Sequence, residues 1–369
     1  MARRIALSAH DFAQRLGASE VILSRATKAE GTPTVASRFV QRLAAVAGSR
    51  WATVQARGER YVSWARTFDY PVKHVPIAKP APKPPREARP LVLSVTDIEH
   101  WLRDPYTIYA KYILRLRELD AIDLEPGAAD RGSIIHGALS EFTKTFAAAL
   151  PADPARELLA IGARHFKAIE DYPEAKAFWW PRFERIARWF ADWERERRGG
   201  MKALAAETQG KIDIVLGERT LTLRTRADRI EKLTDASYAI LDYKTGQVPT
   251  EKQVRAGIAP QLTLEAAILR EGGFPELPAG AVSELVYVSL RGGATAGEAE
   301  PIGFKNGDAN IHTALALAKL KALATRFEDE QQPYRPLVLS MWRSRYGTYD
   351  HLARVKEWSV GGDEEEAGE

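Results

Sequence analysis

The chain has 369 residues, 45% of them hydrophobic and 28% charged, which excludes wholesale disorder and predicts two or three folded units. It has no cysteine, which excludes disulfides, thiol nucleophiles, Cys-ligated zinc and iron–sulfur clusters. The net charge of +4 is uneven: residues 1–90 hold 16 Lys and Arg against 6 Asp and Glu, while the last nine residues, GGDEEEAGE, hold five acids.

A basic N-terminal region suits contact with a polyanion. Charge alone favours a plainer origin, a solvated surface or a face for an acidic partner. No apolar run reaches the ~18 residues of a membrane span. MARRIALSAHDF lacks the apolar stretch and cleavage site of a secretory signal. A reducing cytoplasm is the simplest compartment.

Residues 1–70 read as mixed helix and short strand. SEVILSRA is a buried-strand candidate, and ASRFVQRLAAVAG has helical spacing. Residues 71–90 carry seven of the 21 prolines. Proline removes backbone donors and fixes φ, so this stretch reads as an extended linker. In LSVTDIEHWLRDP, Ser94 or Thr96 can cap a helix that Asp104-Pro105 breaks. RGSIIHGALSEFTKTFAAAL (131–150) is amphipathic. The aromatic segment 178–198 reads as a core stripe with its arginines in solvent, in preference to a base-stacking platform.

The period then changes from helix to strand. Residues 211–216, 219–230 and 238–246 read as an antiparallel meander. Residues 259–273 are helical and 281–290 form a fourth strand. NIHTALALAKLKALATRFEDE is a periodic helix with Ile311, Leu315, Leu320, Leu323 and Phe327 near one face. The tail 361–369 reads as disordered and solvating. No GxxxxGK[ST] occurs, so the chain has no phosphate loop for ATP.

The chemistry concentrates in RADRIEKLTDASYAILDYKTG. Asp228 ends one predicted strand, and Asp242 and Lys244 lie two apart on the next. Residues two apart on a strand share a face, so Asp242 and Lys244 can converge while Tyr243 turns away. Hard carboxylate oxygens suit Mg²⁺, and a lysine beside them can orient water or stabilise charge growing on phosphorus. An isolated D-x-K is more often a surface ion pair. The added Asp228 and the Thr245-Gly246 stop favour phosphodiester hydrolysis.

The run Asp228…Asp242-Tyr-Lys244-Thr-Gly resembles the PD-(D/E)xK nuclease signature in its RecB-like form. The upstream G-x-x-x-H element of that group is matched by Gly132-Ser-Ile-Ile-His136. Its downstream Q-x-x-x-Y element is matched at Gln261, with Glu265 in the tyrosine place. The wording of LSVTDIEHWLRDPYTIYAKYIL and YGTYDHLARVKEWS is similar to the C-terminal region of the alphaproteobacterial-type AddB family of helicase–nuclease subunits. The resemblance covers residues 91–360, and residues 1–70 resemble, less specifically, the tail of a helicase-like region.

The resemblance implies an α/β, restriction-endonuclease-like core: a mixed, mostly antiparallel sheet flanked by helices, preceded by the helicase-like remnant. It implies Mg²⁺ or Mn²⁺ held by His136, Asp228, Asp242 and the Tyr243 carbonyl, with Lys244 catalytic and Gln261 supporting the site or touching phosphate. Some relatives carry a cysteine-ligated iron–sulfur cluster, which this chain cannot. The implied activity is exonucleolytic hydrolysis of DNA by water in double-strand break repair, on a strand fed by an AddA-type helicase–nuclease partner. A fragment of a longer subunit, a stand-alone exonuclease, and a non-catalytic DNA-binding scaffold are the alternatives.

Overall fold

The computed structural model describes residues 2–29, 31–70, 77–119, 124–304, 309–338 and 347–359. The acidic tail expected at 361–369 lies outside the described residues. Contacts divide the chain into two units, Met1–Pro76 and Ile77–Glu369.

The first unit has helices α1 (Ala2–Arg15), α2 (Arg38–Ala47) and α3 (Arg50–Asp69), and a two-residue ribbon of β1 (Lys28–Ala29) and β2 (Thr32–Pro33). Ser37 caps α2 by accepting from the Val40 N–H. None of the side chains described in this unit is buried. The strand expected in SEVILSRA is absent. Val21, Ile22 and Leu23 are exposed, and nothing covers an apolar run there.

The second unit runs β3 (Val92–Ser94), α4 (Val95–Arg103), α5 (Pro105–Ile108), a π-helical turn, α6 (Ala128–Thr145), α7 (Pro154–His165) and α8 (Pro173–Arg197). There follow β4 (Met201–Leu216), β5 (Arg219–Leu233), β6 (Tyr238–Lys244), α9 (Glu251–Ala256), α10 (Gln261–Arg270), β7 (Val282–Ser289), β8 (Glu298–Pro301), α11 (Ala309–Arg326) and α12 (Val355–Ser359). Ser94 and Asp97 form a capping box at α4, and Lys111 and Tyr112 also donate to Asp97.

The sheet is six-stranded and mixed. Its order is β3-β5-β6-β7-β8, with β4 also paired to β5. β3–β5 and β6–β7 are parallel and the other three pairs antiparallel. β6 is covered on both faces, which explains its near-continuous apolar run YAIL. One core packs α4, α10 and α11 on one face. The other packs α6, α7 and α8 on the opposite face around fully buried Phe142, Phe166, Phe183 and Phe190. Truncating such a phenylalanine costs about 3–5 kcal/mol.

Two expectations change and one holds. The proline-rich stretch is not a free linker throughout: residues 77–90 pack within the second unit, where Arg89 is 4% exposed and Pro82 accepts from the Tyr334 N–H at 2.9 Å. On α11, Ile311 and Leu315 are each 51% exposed. The buried face of that helix is Ala309, Thr313, Ala316, Leu320, Leu323 and Ala324, since small residues let it approach α10. The aromatic stripe on α8 is core as expected, with Trp179, Phe183 and Phe190 buried.

Candidate active site

The site forms where pairing between β5 and β6 stops. The ladder ends at Arg229↔Leu241. One residue further, the Tyr243 N–H donates to the Asp228 carboxylate at 2.9 Å instead of to a strand carbonyl. Asp228 is therefore not at the end of its strand. β5 continues to Leu233, three residues past the expected end at 230, with Glu231 buried and ion-paired to Arg197 and Arg229.

On the other edge of β5, pairing with β4 runs through Ala206↔Arg229 and Thr208↔Ala227. Glu207 and Asp228 face each other between these pairs. Glu207 has φ +56, a left-handed conformation that non-glycine residues rarely adopt. Such strain, about 1–3 kcal/mol, concentrates at functional positions. The Glu207 side chain pairs with Arg226 and is 10% exposed. The sequence reading missed it, having started that strand at residue 211. An acidic residue in the stretch ALAAETQG was the available signal.

Alternation along β6 places Asp242 and Lys244 together. Lys244 Nζ lies 2.7 Å from Asp242 Oδ2 and donates to Gln261 Oε1 at 3.0 Å. Gln261, the first residue of α10, donates through Nε2 to Asp242 Oδ1 at 2.5 Å. Tyr243 turns to the other face, its ring edge-on to Phe190. His136 comes in from α6, its Nδ1 3.6 Å from Asp228 Oδ2, with a hydrogen bond to the Tyr243 backbone. Gly132, one turn earlier, lets α6 approach the end of β6, since a Cβ there would lie 3.1 Å from Thr245 Oγ1. All the side chains singled out in the sequence, His136, Asp228, Asp242, Lys244 and Gln261, thus meet at one place. Glu265, one turn along α10, joins them at 1% exposure.

The charges do not balance. Burial, then Asp242, pushes the Asp228 carboxyl up to about 7. Burial raises Asp242 despite Lys244 beside it. Glu265 is raised well above the carboxylate range by burial, Asp242 and Asp228. Burial works against the Lys244 ammonium, but Asp242 outweighs it and the pKa rises. His136 is lowered by burial, which keeps its imidazole neutral and able to ligate.

Clustered carboxyl groups whose charged forms are disfavoured by burial and by one another are chemically suited to a hard divalent ion. The donor set of carboxylate, imidazole and backbone carbonyl fits one. Among the described residues, no group of three or more His, Asp and Glu is already gathered at coordinating distances. Asp242 is turned onto Lys244 and Gln261.

The sequence profile of the PD-(D/E)XK nuclease superfamily matches residues 92–339, more than half of the chain and all of this site. The chain belongs to the PD-(D/E)XK nuclease superfamily. Its mixed sheet flanked by helices is the fold expected from the sequence.

The chain is 36% identical over 187 residues to an uncharacterised protein of Rickettsia bellii, covering 50% of this chain and 22% of that protein. An uncharacterised Rickettsia felis protein is 36% identical over 191 residues, covering 50% of this chain and 22% of that protein. The chain thus spans about a fifth of the length of these relatives. The crystal structure of SSO0001 covers 63% of this chain and 76% of its own at 13% identity, but with a TM-score of 0.27 it carries no argument. No described helix is long and apolar enough to cross a membrane.

Proposed function

We propose that this nuclease is a Mg²⁺- or Mn²⁺-dependent deoxyribonuclease of the RecB/AddB type, acting exonucleolytically in double-strand break repair. The observation that supports the reading best is the row of Glu207, Asp228 and Asp242 on three adjacent strands, with Lys244 as the cation nearest Asp242.

His136, Asp228, Asp242 and the Tyr243 carbonyl would hold the metal, which when bound supplies Lewis-acid charge and acidifies water. The chain's own groups do the rest. Neutral His136 offers a ring nitrogen. Asp228 keeps the Tyr243 peptide oriented through its N–H. With Asp242 given over to the metal, Lys244 would be free to stabilise negative charge growing on the phosphoryl oxygens and to orient the attacking water. Water adds to phosphorus and gives up a proton to solvent, the P–O bond to the neighbouring nucleotide breaks, and the departing oxygen takes a proton from solvent to become a hydroxyl, so no covalent intermediate is required. Gln261 bridges Asp242 and Lys244 and sets their spacing.

The AddB resemblance supports a motor partner of the AddA type that feeds a single strand to the site. It also supports reading residues 1–70 as the remnant of a helicase-like region; the lack of cysteine leaves no ligands for the iron–sulfur cluster of some relatives. The test is digestion of end-labelled single-stranded DNA, duplex DNA and RNA with Mg²⁺, Mn²⁺ or a chelator. DNA shortened from its ends only with metal is expected. Metal-bound, folded protein that binds DNA without cutting it would overturn the enzyme reading in favour of a scaffold.

A further inference from the structure

Gln261 has two chemically different ends, and the structure uses both. Its carbonyl oxygen accepts from Lys244 at 3.0 Å, and its NH₂ donates to Asp242 at 2.5 Å and to Glu265 Oε1 at 3.4 Å. Turning the amide over would set oxygen against two carboxyl groups and NH₂ against an ammonium. Asp242 holds the amide only while it faces Gln261, and the proposed reaction asks it to turn to a metal.

Glu265 has no such second duty. It is buried, and its Oε1 is tied to β5 by the Thr225 hydroxyl at 3.1 Å. Its other oxygen, Oε2, is buried without a hydrogen bond. The related motif has tyrosine at this position, whose hydroxyl lies at the far end of a ring; the shorter Glu265 side chain puts an acceptor oxygen, anchored by Thr225, against the Gln261 NH₂ one turn away.

We propose that Glu265 is a positioning residue that fixes the Gln261 amide, so that its carbonyl end steers the Lys244 ammonium toward the reacting phosphate. The inference rests on the nuclease reading above. Glu265 touches neither metal nor substrate; it acts through Gln261.

Glu265→Gln keeps the volume and an acceptor oxygen, and kcat stays within about threefold of wild type. Glu265→Leu removes the acceptor, and kcat falls about tenfold to a hundredfold with KM for DNA unchanged, the pattern of misplacement rather than weakened binding. Glu265→Leu combined with Gln261→Ala loses no more than Gln261→Ala alone. Thr225→Val, which loosens the anchor with little change in volume, lowers kcat about threefold even if the leucine variant fails to fold. Wild-type kcat in Glu265→Leu, or losses that multiply in the double variant, would overturn the proposal.

A second readout needs no turnover. In ¹⁵N-glutamine-labelled protein, the Gln261 side-chain NH₂ pair is dispersed and slow to exchange in the wild type and in Glu265→Gln. It collapses toward free-amide shifts in Glu265→Leu and shifts partway in Thr225→Val. Unchanged signals in a folded Glu265→Leu or Thr225→Val overturn the proposal even if the wild type proves to cut no nucleic acid, a result that by itself would sink only the nuclease reading.

Discussion

Asp228 and Arg229 are neighbours on β5, and their surroundings are opposites. Arg229 is fully buried, paired with Glu194 and Glu231, with the Tyr243 hydroxyl 3.3 Å from its Nη1. Arg198 and Arg197 in turn neutralise Glu194 and Glu231. Every carboxylate in that layer has a guanidinium. Asp228 gathers with three more acids, Glu207, Asp242 and Glu265, against Lys244 on Asp242 and Arg226 on Glu207. The matched layer has no appetite for a ligand and serves as a lock between α8, β5 and β6. The unmatched layer is unstable alone and wants a cation. The rigidity of the first keeps the charge surplus of the second in place.

The largest effect should come from emptying the unmatched side. Asp242→Asn is expected to lower cleavage more than a thousandfold, about 4 kcal/mol in the barrier, with the fold retained by circular dichroism. Lys244→Ala should lose a similar factor yet keep metal affinity by calorimetry. If both affinity and turnover vanish, Lys244 is a structural counter-ion.

Breaking the matched side should cost stability instead. Arg229→Met leaves Glu194 and Glu231 buried without their central partner, and urea denaturation should show a loss of about 3–5 kcal/mol. A loss below about 1 kcal/mol would erase the distinction between the two layers.

Asp228→Asn sharpens the contrast through pH. The folded-state pKa of Asp228 is raised from 3.8 to about 7. The group's contribution to metal-free stability is therefore fully present below about pH 4 and is lost as pH rises toward 7. The asparagine variant removes that dependence. It should exceed wild-type stability by about 2 kcal/mol at pH 8 and by nothing at pH 4. Equal denaturation midpoints at pH 8 would contradict the raised pKa. Because a ligating Asp228 must shed its proton, Mg²⁺ affinity should climb with pH up to about 7, by up to tenfold per unit.

The smallest expected effect is His136→Ala, which should weaken metal affinity about tenfold, since water can occupy one position. Unchanged activity across a Mg²⁺ titration would make His136 a packing residue.

What the sequence disclosed followed local rules. Alternation along YAILDYK put Asp242 and Lys244 on one face, and motif spacing picked out His136, Asp228 and Gln261, all of which converge. Glu207 stayed hidden because its part depends on a left-handed kink and on register with a strand twenty residues later, neither of which leaves a local pattern. The strand was expected to end at residue 230, and its continuation to Leu233 carries Glu231, whose neutralisation comes from Arg197 on α8, far along the chain. Ile311 and Leu315 fit the helical period, yet the helix turns its alanine-lined face inward, and period alone does not say which face a neighbour will cover. The prolines of 71–90 announced a non-regular backbone; among the described residues it is irregular from 77 to 85 and then makes a 3-10 turn at Arg86–Ala88, and nothing in the wording said what it lies against.

That stretch ends in Arg89, whose guanidinium bonds to the carbonyls of Pro84, Phe327, Asp329 and Glu330 at 2.7–3.1 Å. It works as a buckle, closing the end of α11 and the turn beyond it from a point more than 230 residues earlier in the chain. A catalytic fragment begun just past the prolines would leave these carbonyls bare and α11 fraying. A fragment begun at Ile77 would carry its own fastening.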